Sequence, residues 1–274
     1  LKVFNPLNTR VLVLDIMAVC VNRMICAGPT YTDKAPYGTE LIHGLVRDVQ
    51  GRKMSKSLGN GIDPLEIIDQ YGADALRLTL MTGNAPGNDM RFYWERVEAS
   101  RNFANKVWNA SRFIMMNLDA AEVPEDVNPE SLTLADKWIL HKVNTLAAEV
   151  TENMEKFELG IAVQKVYDFI WEEFCDWYIE MVKPRLYSET EDTKAAALWT
   201  LKTVLNHALK MLHPFMPFIT EEIFCTLNPD EESIMIAPWP QYCSDWEFSQ
   251  AAADVELMKE AVRGIRTVRS ELNV

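Results

Sequence analysis

Residues 41–59 read LIHGLVRDVQGRKMSKSLG and carry the most informative pattern of the sequence. An apolar run over residues 41–46 predicts a β-strand, and the polar residues 47–52 predict a turn. The loop that follows combines ammonium and hydroxyl groups between flanking glycines: Lys53, Ser55, Lys56 and Ser57. This composition predicts a mobile cationic loop at the end of a strand, which is where phosphates bind in α/β folds.

The residue types of this loop suit a nucleoside triphosphate. The ammonium groups of Lys53 and Lys56 can neutralise phosphate charge, and the hydroxyls of Ser55 and Ser57 can donate to phosphate oxygens. If such a loop closes as negative charge moves onto departing pyrophosphate, it stabilises the transition state. The alternative is a solvated surface loop, which is what most runs of Lys and Ser are.

The residues around the loop predict mixed α/β structure before it and helices after it. Upstream, residues 10–14 predict a strand and residues 18–27 a helix. Downstream, Asp63 can cap a helix whose first position is Pro64, and Gly72 can end it. The other predicted elements are helices over residues 73–81, 93–118, 133–156, 161–183, 191–212, 217–227 and 250–272, and a short strand over 233–236.

Composition places the chain among globular proteins. Hydrophobic residues make up 48% of its 274 residues, which excludes a wholly disordered chain. No apolar run approaches the ~18 residues of a membrane span, so no membrane partner is expected. The formal net charge of −13 disfavours wholesale nucleic-acid binding but permits a local basic or aromatic patch.

The cysteines and the first residues indicate the context of the chain. The five cysteines form no Cys-x-x-Cys pair, and their number is odd. This usage favours reduced thiols in a cytosolic protein, without a disulfide framework or a protein-bound metal. The sequence starts without Met and without a signal peptide, so we expect the chain to be a piece of a longer protein.

Two stripes of side chains run along the helix predicted over residues 93–118. Apolar residues recur every three or four positions and predict the buried face: Phe103, Val107, Ala110, Ile114 and Leu118. A second stripe, roughly a right angle away, combines two amides, a cation and an aromatic ring: Asn102, Lys106, Asn109 and Phe113. Such groups stack on single-stranded bases and contact base edges and phosphates. The alternative is that Phe113 packs on a neighbouring helix while the asparagines face water.

A group of tryptophans and a group of arginines form two further patterns in the sequence. Trp138, Trp171, Trp177 and Trp199 fall at helical core spacing, which predicts packing. Arg263, Arg266 and Arg269 recur every three residues on the last predicted helix. They form either a solvated basic edge or a contact with an RNA backbone, and the sequence leaves both alternatives open.

The loop and its flanks resemble a known family. The segment KMSKS (53–57) is similar to the second signature of class I aminoacyl-tRNA synthetases. The flanks HGLVRD (43–48) and GADALR (72–77) resemble the valine, isoleucine and leucine branch of that class. Segments similar to the valyl-tRNA synthetases in particular are APGNDMRF (85–92), RNFANK (101–106) and IRTVRSELNV (265–274). The resemblance covers about residues 40–274.

This resemblance implies a fold that is mainly α: the end of a Rossmann-type α/β catalytic domain, followed by an α-helical bundle that binds the anticodon. It implies a ligase of protein biosynthesis that attaches valine to tRNA(Val). The implied substrates are ATP, valine and tRNA(Val), with Mg²⁺ in the full enzyme. The implied setting is a cytoplasmic monomer that binds neither membranes nor DNA.

The resemblance also assigns roles to individual residues. The catalytic positions are Lys53 and Lys56. The ATP-binding positions are Lys56, Ser55, Ser57 and His43. The anticodon positions are Lys106, Phe113, Asn102 and Asn109. For Arg263, Arg266 and Arg269, contact with the tRNA backbone remains one of the two open alternatives. The segment around Asp15 departs from the Gly-x-Asp element of the family, so no ATP-site role is assigned to it.

Four parts of the chain are expected on this basis. They are the end of the catalytic domain with the loop (1–60), a helical stem-contact connection (61–92), the anticodon-binding bundle (93–240) and a helix leading toward a C-terminal arm (241–274). The sequence contains no His-x-Gly-His signature and no segment similar to an editing insertion, and residues 1–40 match the family poorly. We therefore predict that this chain alone does not activate valine. The alternatives are a fragment of an isoleucyl-tRNA synthetase and a non-catalytic helical tRNA-binding module.

Overall fold

The computed structural model describes residues 6–83, 85–121, 123–188 and 193–272. The chain divides into two compact units, which are residues 1–100 with 153–162 and residues 101–152 with 163–274. The strands of the described residues all lie in the first unit, and the second unit is built from helices. Within the described residues, no helix is both long and apolar enough to cross a lipid bilayer.

Two parallel strands joined by a helix open the first unit. The elements are β1 (Leu7–Val13), α1 (residues 14–32) and β2 (Tyr37–His43). Leu7 lies opposite Tyr37 and Val13 lies opposite His43 in their register. Because the strands run in the same direction, their carboxyl ends meet at one edge of the sheet. The predicted strand and helix are confirmed, although both begin before the predicted residues 10 and 18.

Gly44 divides the strand that was predicted over residues 41–46. A separate two-residue strand, β3 (Val46–Arg47), pairs in parallel with β4 (Met90–Arg91). A Cβ atom on Gly44 would lie 1.8 Å from the carbonyl oxygen of Asn88, so only glycine permits this close approach. The prediction of one continuous strand is therefore wrong, because the chain changes its pairing partner at this glycine.

Two short helices pack together later in the first unit. Helix α2 (Pro64–Tyr71) begins as predicted, since the Asp63 carboxylate accepts a hydrogen bond from Leu65 N at 2.9 Å. Gly72 adopts a φ of 90° and separates α2 from α3 (Ala73–Met81). The core around them consists of buried apolar residues: Ile67, Ala75, Leu76, Phe92 and Val97.

Most of the remaining chain is helical. The elements are α4 (Trp94–Leu118), α5 (Leu134–Glu155), α6 (residues 159–187), α7 (Lys194–Leu212), α8 (Pro217–Leu227) and α9 (Ser249–Glu271). Single 3₁₀ turns lie at Lys56–Leu58, Pro129–Ser131 and Ser244–Trp246. The α5 start agrees with its predicted cap, because Thr133 N and Oγ1 donate to Asp136 Oδ2 at 2.9 and 2.8 Å. Helix α6 contains a ten-residue π-helical stretch, Phe169–Tyr178.

Two predictions about the helical part are wrong. Helix α6 was expected to end before Pro184, but it continues to Tyr187. The buried side chains of Val182 and Leu186 hold this last turn against the core, and that burial offsets the hydrogen bond that proline cannot donate. Residues 233–236 form a turn rather than a strand, because Ile236 N donates to the carbonyl oxygen of Ser233 at 3.4 Å.

A buried ion pair joins α5 and α6 inside the second unit. Arg185 Nη1 donates to Asp136 Oδ1 at 2.9 Å, and the Asp136 side chain is 0% exposed. Tyr178 Oη donates to the same carboxylate oxygen at 2.7 Å. Burial, followed by the neighbouring Asp136 charge, raises the pKa of Tyr178 well above its usual value of 10.0. The phenol therefore stays protonated and remains a hydrogen-bond donor to the carboxylate.

Candidate nucleotide and nucleic-acid sites

The KMSKS loop, defined here as residues 51–59, is open to solvent at its tip. Lys56, Ser57, Leu58 and Gly59 are exposed, and Ser55 caps the short 3₁₀ turn. Ser55 Oγ accepts from Leu58 N at 3.3 Å and lies 3.1 Å from Ser57 Oγ. The two predicted hydroxyls are thus brought together beside the exposed ammonium group of Lys56. Among the described residues, Lys56 has no acidic partner within ion-pair distance.

A clamp at the base holds both ends of the loop. Asp48 accepts from Arg52 N at 2.8 Å, from Arg52 Nε at 2.7 Å and from Asn60 Nδ2 at 2.9 Å. Asn60 also accepts from Ser55 N at 2.9 Å. The hydrogen bond from Asn60, outweighing desolvation and joined by those from Arg52, lowers the pKa of Asp48 to about 2. Sequence reasoning did not identify Asp48 and Asn60 as residues that hold the loop. The feature of the sequence that could have indicated them is that they flank the loop on either side.

The two loop lysines differ in their surroundings. Lys53 Nζ forms an ion pair with Asp15 Oδ2 at 2.7 Å, just beyond the end of β1. Asp89 lies in the same region, where it accepts from Leu45 N at 2.7 Å and pairs with Arg47 Nε. These contacts lower the pKa of Asp89, the Leu45 hydrogen bond most strongly, with a smaller contribution from the charge of Lys53. Lys53 therefore has an acidic partner, whereas the Lys56 ammonium is available to an anion.

His43 lies at the carboxyl end of β2, as expected from the sequence. Its Nδ1 lies 2.8 Å from the carbonyl oxygen of Gly44. The side chain lines a cavity of about 340 Å³ whose other walls include Val11, Leu41 and Met90. None of the described residues that line this cavity belongs to the KMSKS loop. The structure thus places His43 beside a largely apolar space.

The second predicted stripe of α4 lines one groove in the helical unit. The groove has a volume of about 480 Å³ and an amide-rich wall on α4: Asn102, Asn105, Lys106, Asn109, Ala110 and Phe113. The opposite wall comes from α6: Cys175, Ile179 and Lys183. All four predicted residues are brought together. Of the first stripe, Phe103, Val107 and Ile114 are buried as expected, but Ala110 and Leu118 are only half-buried, and Ala110 lines the groove. Asn105 and the α6 wall were missed, because only the tertiary fold adds the second helix.

The two lysines that line this groove each contact an aromatic ring. Lys106 Nζ lies 2.6 Å from Asp176 Oδ1 and 3.7 Å from the centroid of the Trp171 ring. Lys183 Nζ lies 5.8 Å from the centroid of Phe113 and pairs with Glu180 one turn away. The groove can therefore offer a partly exposed aromatic face, amide donors and acceptors, and two ammonium groups to a ligand.

The arginines of α9 lie beside another tryptophan. Arg263 and Arg266 are exposed, and their guanidinium carbons lie 5.9 and 5.6 Å from the Trp177 ring centroid. Arg269 is exposed one turn further along. One turn earlier, Lys259 is 1% exposed and pairs with Glu173 and Glu256. The basic side chains of α9 are thus buried and paired at Lys259, and they are exposed from Arg263 to Arg269.

Only part of the tryptophan prediction is confirmed. Trp138 is fully buried, as core spacing predicts. Trp171 and Trp177 are half-buried and present their rings to cations instead, and Trp199 donates from Nε1 to the carbonyl oxygen of Glu125 at 3.1 Å. The ammonium group of Lys259 lies 4.8 Å from the centroid of the buried Trp138 ring as well, so helical spacing alone predicts neither the burial of an indole nor its contact with a cation.

Comparison with protein families agrees with this arrangement of loop and bundle. A model described as tRNA synthetases class I (I, L, M and V) matches residues 1–93, and one described as the anticodon-binding domain of tRNA ligase matches residues 136–274. The chain belongs to the class I aminoacyl-tRNA synthetases. Its relatives narrow the class further, because two that it matches over all 274 residues are valine–tRNA ligases.

The similarity to these relatives is high but covers only part of them. The chain is 57% identical over 274 residues to valine–tRNA ligase of Clostridium perfringens and 52% identical to that of Clostridium tetani. It spans 31% of the length of each. The resemblance to valyl-tRNA synthetases is thus confirmed. Its restriction to residues 40–274 is wrong, because the matches to these relatives and to the class I model include the first 40 residues.

One solved structure supports the fold. The LeuRS of Agrobacterium radiobacter K84, in a ternary complex with tRNA and LeuAMS, superposes with a TM-score of 0.74 at 20% identity. The similarity covers 88% of this chain and 29% of the other. The expected fold class, the end of a Rossmann-type domain followed by a helical anticodon-binding bundle, is confirmed by this neighbour and by the two family matches.

Proposed function

We propose that this chain supplies the ATP-phosphate loop and the tRNA-binding surface of a valine–tRNA ligase. The observation that carries the proposal is the identity of 57% to such a ligase over all 274 residues. In that reaction ATP activates the carboxylate of valine and pyrophosphate leaves, after which valine is transferred to tRNA(Val). ATP enters as its magnesium complex, so the metal belongs to the substrate.

The KMSKS loop acts on the triphosphate in this proposal. Lys56 approaches the phosphates first, because its ammonium group is exposed and has no acidic partner among the described residues. Ser55 and Ser57 donate to phosphate oxygens from their shared position at the turn. Lys53 has to exchange Asp15 for phosphate, so it contributes when charge builds up on the leaving pyrophosphate. His43 is a further candidate ATP contact, at the end of β2.

The α4 groove receives the anticodon loop in this proposal. Phe113 offers its ring face for stacking, while Asn102 and Asn109 present amides to base edges and Lys106 contributes an ammonium group. The exposed arginines of α9 contact the tRNA backbone: Arg263, Arg266 and Arg269. A splayed anticodon is a single strand, which matches the chemistry of the groove better than a duplex would.

Several finer features are part of the same proposal. The chain is organised as a catalytic end (1–60), a stem-contact connection (61–92), an anticodon-binding bundle (93–240) and a helix leading onward (241–274). It acts in the cytoplasm as a monomer. By itself it does not activate valine, because the other class I signature is missing from its sequence. Clear ATP–pyrophosphate exchange by the purified chain would contradict this last statement.

The decisive test is the identity of the tRNA that the chain retains. The 274-residue chain is immobilised, incubated with a total tRNA pool, and the retained RNA is sequenced. We expect enrichment of valine tRNA, and we expect Phe113→Ala to reduce it. The matched control is Phe218→Ala, since Phe218 is an exposed aromatic residue outside the groove. Enrichment of isoleucine tRNA, or equal retention of all tRNAs, would overturn the assignment to valine.

A further inference from the structure

Two side chains of α6 hold the ammonium group of Lys106 inside the groove. Asp176 Oδ1 lies 2.6 Å from Lys106 Nζ, and the Trp171 ring centroid lies 3.7 Å from it. The Lys106 side chain is 23% exposed, whereas that of Asp176 is 51% exposed. The ammonium is therefore fixed between a carboxylate and an indole face, and the Lys106 side chain is among those that line the groove.

The π-helical stretch of α6 makes this arrangement possible. Residues five apart on an α-helix point about 140° away from each other, so Trp171 and Asp176 would face different directions. In the π-helical stretch Phe169–Tyr178 the hydrogen bonds run between residues five apart, as in Ile179 N to the carbonyl oxygen of Phe174. This geometry brings residues five apart toward one face. π-helical turns are rare and frequently occur at functional sites.

An aromatic stack keeps the Trp171 ring in place. Trp171 stacks on Tyr167 with centroids 5.8 Å apart and planes 6° apart. Tyr167 stacks in turn on the buried Phe103, with centroids 4.3 Å apart. Because Phe103 belongs to α4, the stack ties the indole to the same helix that carries Lys106. The indole face is therefore a rigid support for the ammonium.

We propose that Asp176 and Trp171 are positioning residues, which direct the Lys106 ammonium toward the edge of an RNA base instead of toward a phosphate. This inference rests on the proposed function of the groove. The Asp176 charge already balances that of Lys106, so Lys106 adds little to the release of counterions from RNA. An ammonium has three donors, and one that points neither at Asp176 nor at the Trp171 ring remains for a base acceptor.

Binding of an RNA hairpin to the 274-residue chain tests this at several salt concentrations. One hairpin carries the anticodon loop of valine tRNA, and a second differs by one anticodon base. In Asp176→Asn the freed ammonium can neutralise a phosphate, so the slope of log K against log salt becomes more negative by about 0.7. Because the Lys106 ammonium is then no longer directed at the base, the affinity for the valine hairpin divided by that for the altered hairpin falls about tenfold. The double variant Lys106→Ala/Asp176→Asn removes the pair with no net change of charge, and it lowers the ratio with an unchanged slope.

Controls separate positioning from charge and from folding. Glu149→Gln removes the same charge from another lysine pair of this unit, Lys165–Glu149 at 2.7 Å, and leaves ratio and slope unchanged. Asp176→Glu keeps the carboxylate and restores most of the ratio. Trp171→Phe keeps the stack but weakens the cation–π support, and it lowers the ratio less than Asp176→Asn does. Circular dichroism establishes that each variant is folded.

The outcomes also distinguish this inference from the proposed function. If Asp176→Asn behaves like Glu149→Gln while Phe113→Ala still weakens binding, the groove binds RNA but Asp176 does not position Lys106. If the double variant Lys106→Ala/Asp176→Asn flattens the salt slope by about 0.7, Lys106 contacts a phosphate and the inference is wrong. If Phe113→Ala has no effect either, the groove is not the RNA site and both proposals fail.

Discussion

The KMSKS loop and the α4 groove are held by contacts of different range. The loop is clamped by Asp48 and Asn60, which lie twelve residues apart on either side of it, and its tip is exposed. The groove depends on α4 and α6, whose facing residues Lys106 and Asp176 are 70 residues apart in the chain. A locally clamped loop can move while its unit stays folded. The groove keeps its shape only while the helical unit stays packed.

The largest expected effect comes from breaking the helical unit itself. Arg185→Met removes the cationic partner of the fully buried Asp136 carboxylate. An uncompensated buried charge lowers the free energy of unfolding by about 3–5 kcal/mol. Denaturant unfolding followed by circular dichroism measures this loss. The control on the same helix is Lys183→Met, which breaks an exposed pair and costs at most about 1 kcal/mol. Equal losses in the two variants would show that the buried pair does not hold α5 to α6.

In the first unit, a substitution that creates a steric clash with the backbone is expected to lower the stability. In Gly44→Ala the new Cβ would lie 1.8 Å from the carbonyl oxygen of Asn88, so β3 and β4 have to move apart. Such overpacking costs about 3 kcal/mol. Gly61→Ala is the control, because nothing lies within 4 Å of its Cβ position. Thermal unfolding of the two variants measures the difference, and a similar midpoint in both would contradict the close approach.

These two regions also show how far the sequence can be interpreted. Helix starts were predictable where the signal is local, as for Asp63 before Pro64 and for Thr133 with Asp136. The division of a strand at Gly44 was not, because the carbonyl group that requires it belongs to Asn88, far along the chain. The helical period of 3.6 residues shows which residues share a face of one helix, but it does not show that Asp176 on α6 pairs with Lys106 on α4.

For the two candidate sites as well, the sequence predicted some parts and only the tertiary fold revealed the others. The residue types and spacing of KMSKS indicated a phosphate-binding loop, and the second stripe of α4 indicated one wall of a groove. The opposite wall on α6 and the ion pair between Lys53 and Asp15 required the tertiary fold. The π-helical stretch is the clearest case, since it changes which residues share a face without any change in residue type.

A smaller effect is expected from the groove without loss of its fold. Phe113→Ala removes a half-buried ring and weakens tRNA binding by about 1–3 kcal/mol, because each stacked base is worth that much. Filter-binding titration with valine tRNA measures the affinity, and circular dichroism should show unchanged helix content. Trp108→Ala is the control, since Trp108 is exposed on the same helix but outside the groove. Unchanged affinity of Phe113→Ala would remove this ring from the site.

The smallest expected effect is a pH dependence that belongs to the loop alone. The hydrogen bond from Asn60 is the main cause of the low pKa of Asp48, about 2 against an ordinary 3.8. A carboxylate whose pKa is lower in the folded chain stabilises the fold above pH 4, and this stabilisation is lost as the pH falls from about 4 to about 2. Asn60→Ala should therefore move the titration midpoint of Asp48 upward, toward 3.8. Titration of the carboxyl carbon by NMR measures the midpoint. The helical unit should show no matching change at this pH if the clamp acts locally. A midpoint that stays near 2 in Asn60→Ala would mean that Arg52, and not the residue beyond the loop, holds the Asp48 charge, and the loop would then lack its second anchor.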